Sequence, residues 1–169
     1  MQAAIHLTQA ENVADFRQAV EGRIQSLANV NRLFVESRWK GAELHTLVSQ
    51  ELAPYRKGDG TRVHIEGSEI SLEPNTAQTI AMTCHELATN AAKYGALSAV
   101  GGKVAVIWTL AEDGRLDLTW TETGGPPVTV PNREGFGTRL IGKIIEQSKG
   151  EIRFDWRPEG LVCEVAIPV

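Results

Sequence analysis

Residues 84–98 read CHELATNAAKYGALS. His85 and Glu86 begin the zinc-helix pattern H-E-x-x-H, which needs a second imidazole one turn on. Thr89 stands at that position, so the two-histidine zinc site is excluded. What remains is Glu86, Asn90 and Lys93, at steps of four and three, which a helix gathers on one side. A carboxylate and an amide carbonyl are hard oxygen donors suited to Mg²⁺, directly or through its waters. A lysine one turn further can pair with a phosphate. These are the functions that a magnesium–polyphosphate complex needs. Glu, Asn and Lys are also the ordinary make-up of a solvated helix face, and the trio alone does not separate the two readings.

A second constellation is WTETGG, residues 120–125. The alternation that turns Leu116 and Leu118 inward turns Trp120 and Glu122 the same way. A glutamate among core-facing positions needs a partner, and the exocyclic amine of a purine would serve. The alternative is a strand that ends at Thr121 and leaves Glu122 in solvent. Gly124 and Gly125 would let the backbone close on a flat base. The third constellation is GFGTRL, residues 135–140. Gly135 and Gly137 directly before a helix leave free N–H groups able to bind an anion, with Thr138 as the cap. Many helices begin this way, so this segment is weak evidence by itself.

Elements must bring these segments together. Residues 9–36 read as a helix with Val13, Phe16, Val20, Ile24 and Leu27 at steps of three and four, and Val13, Val20, Leu27 and Phe34 seven apart. The stripe fits either an amphipathic helix packed on its own domain or a dimerisation helix. Gly22 interrupts it at a cost of about 1 kcal/mol relative to Ala. A second helix is expected over 41–52, ended by Pro54, and the polar turn RKGDGTR marks a domain boundary. Beyond it, TRVHIEG and SEISLEP read as extended pieces, and a long helix over 75–94 follows Pro74 and stops at Gly95. KVAVIWTL and RLDLTWTE form a hairpin through AEDG; TRLIGKIIEQSKG is a short helix stopped by Gly150; the last nineteen residues form a hairpin turning at 158–160. The expected fold is α+β: a helical segment, then a sandwich of a mixed, mainly antiparallel sheet with helices on one face. No G-x-x-x-x-G-K-[ST] loop is present.

Bulk properties narrow the function. The chain has 169 residues, a net charge of −4 and no Lys/Arg-rich block, which argues against a nucleic-acid surface. No apolar run is long enough to span a membrane and no signal peptide is visible. Cys84 and Cys163 lie far apart in apolar surroundings and read as packed, reduced thiols of a cytoplasmic protein.

Taken in order, HELATNAAKYGALS, WTETGGPPV and GFGTRLI closely resemble the ATP-binding motifs of HWE-type bacterial sensor histidine kinases, named for the residues matched here by His85, Trp120 and Glu122. RIQSLANVNRLF, WKGAEL and RPEGLVCEVAIPV extend the resemblance from Gly22 to the end. It implies a Bergerat-type α/β sandwich, as in gyrase and the mismatch-repair ATPases, with ATP and Mg²⁺ as cofactors. It implies that Asn90 coordinates Mg²⁺ on the ATP phosphates, that Glu86 orients a water or acts as base, and that Glu122 accepts from the adenine amine where most relatives carry Asp. Gly124 and Gly125 belong to the same motif. Gly135, Phe136, Gly137 and Thr138 border the phosphates, and Lys93 and Tyr94 contact phosphate and ribose. His85 and Trp120 are signature residues without a derived role. Residues 125–135, with Pro126, Pro127 and Pro131, would be a short, mobile ATP lid.

The implied organisation is a partial dimerisation and phosphotransfer hairpin over 1–54 and an ATP-binding catalytic domain over 55–169. The family's H-R-x-K-N-like acceptor segment is missing, and His6 does not match it; His45 and His64 read as structural or surface residues. The chain is therefore expected to begin within the acceptor helix, to bind ATP without completing autophosphorylation, and to belong with an upstream sensory domain. A homodimer and a response regulator are the implied partners. The alternative is a regulatory module of the same fold, either an anti-sigma-type serine kinase or an inactive scaffold.

Overall fold

A computed structural model describes residues 13–36, 42–56, 62–128 and 135–169. The expected ATP lid lies mostly at 129–134, and His6 within 1–12; both lie outside the described residues.

The first described element is helix α1, Val13–Glu36. Strand β1, Ala42–Glu43, leads into α2, Leu44–Leu52, and a single 3₁₀ turn over Ala53–Tyr55 holds Pro54. Strands β2, Val63–Gly67, and β3, Ser71–Leu72, precede the long helix α3, Pro74–Lys93. The hairpin β4, Lys103–Leu110, and β5, Arg115–Thr123, turns at Gly114 with φ +78°. Helix α4, Phe136–Gln147, is followed by the hairpin β6, Glu151–Arg157, and β7, Gly160–Pro168.

Five strands form one sheet in the order β2-β4-β5-β7-β6. Only β2 runs parallel to its neighbour β4; the other three pairings are antiparallel. One face is apolar because period-two alternation sends Val104, Val106 and Trp108 of β4, Leu116, Leu118 and Trp120 of β5, and Cys163, Val165 and Ile167 of β7 the same way, all buried. The intervening β4 residues Ile107 and Thr109 are exposed. The stripe Ile80, Cys84, Leu87 and Ala91 of α3 is buried against this face, joined by Ile141 and Ile145 of α4. The expected sandwich with helices on one face is the observed architecture. Both cysteines are buried free thiols, and burial pushes the Cys163 thiol up to about 12.

The extended reading of SEISLEP holds as β3, and two other local expectations are corrected. The extended piece over SEISLEP pairs with β1, Ala42 opposite Leu72, and not with the main sheet. Residues 42 and 43 of the second helix, expected over 41–52, form that strand β1. Helix α4 starts at Phe136 with Gly135 as its N-cap, so Thr138 lies inside the first turn and is not the cap.

The core also runs across the expected boundary at 54/55. Ala42, Leu44, Leu47, Val48 and Leu52, each at most 1% exposed, belong to one cluster with the sheet and α3. The apolar face of α2 packs on α3, and His45 meets the Trp108 ring edge-on.

Candidate functional site

The site is built around the second half of α3. Gly137, in the first turn of α4, sits so close to it that a Cβ there would lie 2.9 Å from Glu86 Oε2 and 3.4 Å from Asn90 Nδ2. The third constellation therefore abuts the first, and a Cβ at residue 137 would press on the Glu86 carboxylate.

The second constellation joins from the sheet. Glu122 is 4% exposed, so its strand does not end in solvent. Its Oε2 accepts from the Ala96 backbone N–H at 2.8 Å, and its Oε1 accepts from the Trp120 indole N–H at 3.2 Å. Burial pushes the Glu122 carboxyl above the usual carboxylate range, and these two donors pull against that shift. Several glycines make room for it. A Cβ at Gly95 would overlap the Glu122 carboxylate, and one at Gly160 would overlap the Glu122 carbonyl oxygen. Gly95 is extended, with φ −107°, so it serves the carboxylate more than a left-handed helix cap. Gly125 lies against the Ala96 backbone, where a Cβ would come within 2.6 Å, while Gly124 takes φ +70°. Ala96 is thus the point where the α3 end, the β5 end and the Gly124–Gly125 turn meet.

The remaining sequence-predicted residues are spread around this point. Asn90 and Thr138 are half-buried, Gly135, Lys93 and Gly124 are exposed, and Tyr94 is 75% exposed. Phe136 is the first residue of α4; its side chain lies outside the described set.

Glu86, 6% exposed, carries a partner that the sequence reading missed. Arg23 of α1, 4% exposed, donates Nε–H to Oε1 at 2.6 Å and Nη2–H to Oε2 at 3.0 Å. Beside this pair, Ser26 donates its hydroxyl to Glu51 Oε1 at 2.8 Å, and His85 Nδ1 lies 3.1 Å from Glu51 Oε2. Gly22 lets the His85 ring lie against α1; a Cβ there would be 2.9 Å from Nε2. His85 thus links α3 to α2 through Glu51. A readable sign existed: Glu51 stands on the apolar face of α2, four residues after Leu47 and three after Val48. Gly22 in mid-helix was the other.

Metal chemistry can be tested on the donors present. Asn90 offers a neutral carbonyl oxygen beside the Glu86 carboxylate. Among the described residues no group of three or more His, Cys, Asp or Glu could hold a metal. The donors fit an ion such as Mg²⁺, which keeps waters and substrate phosphate oxygens as ligands.

Known proteins resemble the chain in sequence and in fold. The HWE histidine kinase family model matches residues 1–69. A blue-light-activated histidine kinase from Erythrobacter litoralis is 35% identical over 100% of this chain and 49% of its own length. One from Rhizobium johnstonii is 31% identical over 97% of this chain and 47% of its own length. The chain spans about half the length of these relatives. Among solved structures, the histidine kinase domain of an Erythrobacter litoralis blue-light-activated histidine kinase superposes with a TM-score of 0.72 at 14% identity, over 99% of this chain and 92% of that one. The catalytic domain of the histidine kinase ThkA gives 0.54 at 17% identity, over 75% of this chain and 94% of that one. The chain thus carries an HWE histidine kinase match over residues 1–69, a relative at 35% identity among blue-light-activated histidine kinases, and the fold of histidine kinase catalytic domains.

Proposed function

We propose that this chain is the ATP-binding catalytic part of a sensor histidine kinase, working in the cytosol, and that it passes the γ-phosphoryl of ATP to a histidine outside these 169 residues. The observation that supports this best is the convergence at Ala96 and Gly137: Glu122 anchored on one side, and Glu86 and Asn90 against the start of α4 on the other. In this reading the triphosphate lies between Asn90 and the N–H groups of Gly135 to Thr138, where the helix N-terminus favours negative charge. Asn90 would hold Mg²⁺, which would supply neutralisation of the phosphate charge. Glu122 faces the adenine amine, with the Ala96 and Trp120 N–H groups fixing its orientation, and Gly124 and Gly125 border the base. Lys93 and Tyr94, both exposed at the end of α3, reach phosphate and ribose. Glu86 orients a water or accepts a proton. Catalysis by positioning and charge neutralisation is what phosphoryl transfer asks of a protein. A response-regulator receiver domain takes the group next, and the intact protein works as a dimer with a sensory domain.

Two measurements test this. Calorimetry should show ATP binding that strengthens with Mg²⁺; Asn90→Ala should lose the Mg²⁺-dependent part, and Glu122→Ala should narrow the preference for ATP over GTP. Labelled phosphate from ATP should move to the histidine of an added peptide carrying an H-R-x-K-N segment. Transfer to serine instead would favour the anti-sigma-type alternative, and absence of binding at millimolar ATP would favour a scaffold.

A further inference from the structure

Arg62 lies in the polar turn before β2, outside the three motif segments. Its main chain is fixed, because its carbonyl accepts from the Val104 N–H at 2.9 Å where β2 joins β4. Its half-buried side chain turns to the loop that follows α3. There Nη2–H donates to Ala99 O at 2.7 Å and to Leu97 O at 3.1 Å, and Nε–H donates to Gly102 O at 3.1 Å. One guanidinium thus gathers three carbonyls from both arms of one loop. The loop's own fastenings are weaker. Its backbone bonds, Ser98 to Gly95, Ala99 to Ala96 and Gly102 to Ala99, run from 3.1 to 3.3 Å. Ser98 and Val100 are exposed, and Gly101 takes φ +86°. A charge-assisted hydrogen bond is stronger than a neutral one, and the planar guanidinium loses little freedom in making several.

The same loop forms the wall on the Glu122 side of the site. Ala96, directly before Leu97, supplies the N–H on Glu122 Oε2. Gly102 packs so closely on Ala96 that a Cβ there would overlap the Ala96 carbonyl oxygen, and a Cβ at Gly124 would lie 3.2 Å from Gly101 O. The carbonyls that Arg62 holds therefore flank both the donor that orients Glu122 and the turn of Gly124 and Gly125.

We propose that Arg62 is a positioning residue for purine selection: it pins the 97–102 loop, and through it the Ala96 N–H, so that Glu122 keeps one orientation toward the base. This rests on the reading of Glu122 given above. Arg62 acts through the loop, so its effect falls on discrimination between bases and spares the phosphate end, where Asn90 meets the start of α4.

The test uses the 169-residue chain, calorimetry with ATP, competition by GTP, and amide exchange followed by NMR. Arg62→Met keeps an unbranched stem and removes the N–H groups; Arg62→Lys keeps a charge that cannot span three carbonyls. The ratio of ATP to GTP affinity should fall about tenfold in Arg62→Met, the weight of one hydrogen bond to the base, and about threefold in Arg62→Lys. The gain in ATP affinity from Mg²⁺ should stay within about threefold in both. Exchange of the Ala96 amide should quicken at least about tenfold in Arg62→Met while the amides of β4, β5 and β7 stay protected. In a Glu122→Ala background, Arg62→Met should change the ratio by less than about twofold, because the group it positions is gone. An unchanged ratio in a folded Arg62→Met would overturn the role of Arg62 and leave the ATP reading standing. So would a fall that persists at full size without Glu122, or an equal loss of the Mg²⁺ gain, which marks general support of the fold. Should Arg62→Met not fold, Arg62→Lys decides by the same readings. Absence of ATP binding, or of any preference for ATP, in the unmodified chain would overturn the reading and the proposal together.

Discussion

At the scale of single residues, the tryptophan and glutamate of the second motif depend on each other. Trp120 donates to Glu122, and Glu122 also closes the Ala96 N–H, so Glu122→Ala would leave two buried donors unpaired. At about 1–3 kcal/mol for each, we expect a loss of roughly 2–6 kcal/mol in urea unfolding. The same carboxyl sets a pH trend. Its folded-state pKa lies above the unfolded value, so the native state holds more protons there than the unfolded chain does. Its contribution to stability is full below the ordinary carboxylate pKa and is lost as pH rises through the raised folded value. Glu122→Ala should remove this contribution, which would appear as a change in slope between unfolding series at acid and neutral pH. The alternation of Leu116, Leu118, Trp120 and Glu122 made this burial legible in the sequence. The partners were not: the Ala96 N–H belongs to a turn twenty-six residues away, and no spacing rule reports it.

At the scale of elements, the end of α4 shows why a stop signal read from sequence can be right in place and wrong in mechanism. A glycine that stops a helix usually does so by taking a left-handed conformation, but here Lys149 takes it, with φ +58°, one residue before Gly150. Lys149 N–H bonds Glu146 O at 2.9 Å and Gly150 N–H bonds Ile145 O at 2.9 Å, the paired closure in which glycine usually fills the first position. Gly150 is needed for another reason: a Cβ there would lie 2.7 Å from the Ala166 carbonyl oxygen of β7. Lys149→Gly should therefore stabilise the fold by about 1 kcal/mol, the cost of a left-handed non-glycine residue, while Gly150→Ala should destabilise it. Thermal unfolding of the two single variants checks both signs. Periodicity foresaw α3 almost to its ends because its apolar stripe is continuous. It missed the β1–β3 pair because two-residue strands carry no period.

At the scale of the whole molecule, the question is where the catalytic unit starts. The polar turn at 56–62 reads as a boundary, because local composition cannot show that the helix before it is packed on the elements after it. The core shows it: Leu44, Leu47, Val48 and Leu52 are each at most 1% exposed, within one cluster that includes α3 and the sheet. Burying side chains of this size contributes about 1.5–3 kcal/mol each. Removing all four takes away roughly 6–12 kcal/mol, against a typical total stability of about 5–15 kcal/mol. A shortened chain beginning at residue 55 should therefore fail to fold cooperatively. One beginning at residue 42 keeps α2 and the β1–β3 pair and gives up α1, whose buried side chains among the described residues are the polar Arg23 and Ser26, so the Glu86 and Glu51 carboxylates return to water. We expect it to keep a single cooperative urea transition by circular dichroism, with a midpoint below that of the full chain because the hydrogen bonds from Arg23 and Ser26 are gone. A folded product from residue 55 would place α2 outside the catalytic unit; an unfolded product from residue 42 would make α1 part of its core.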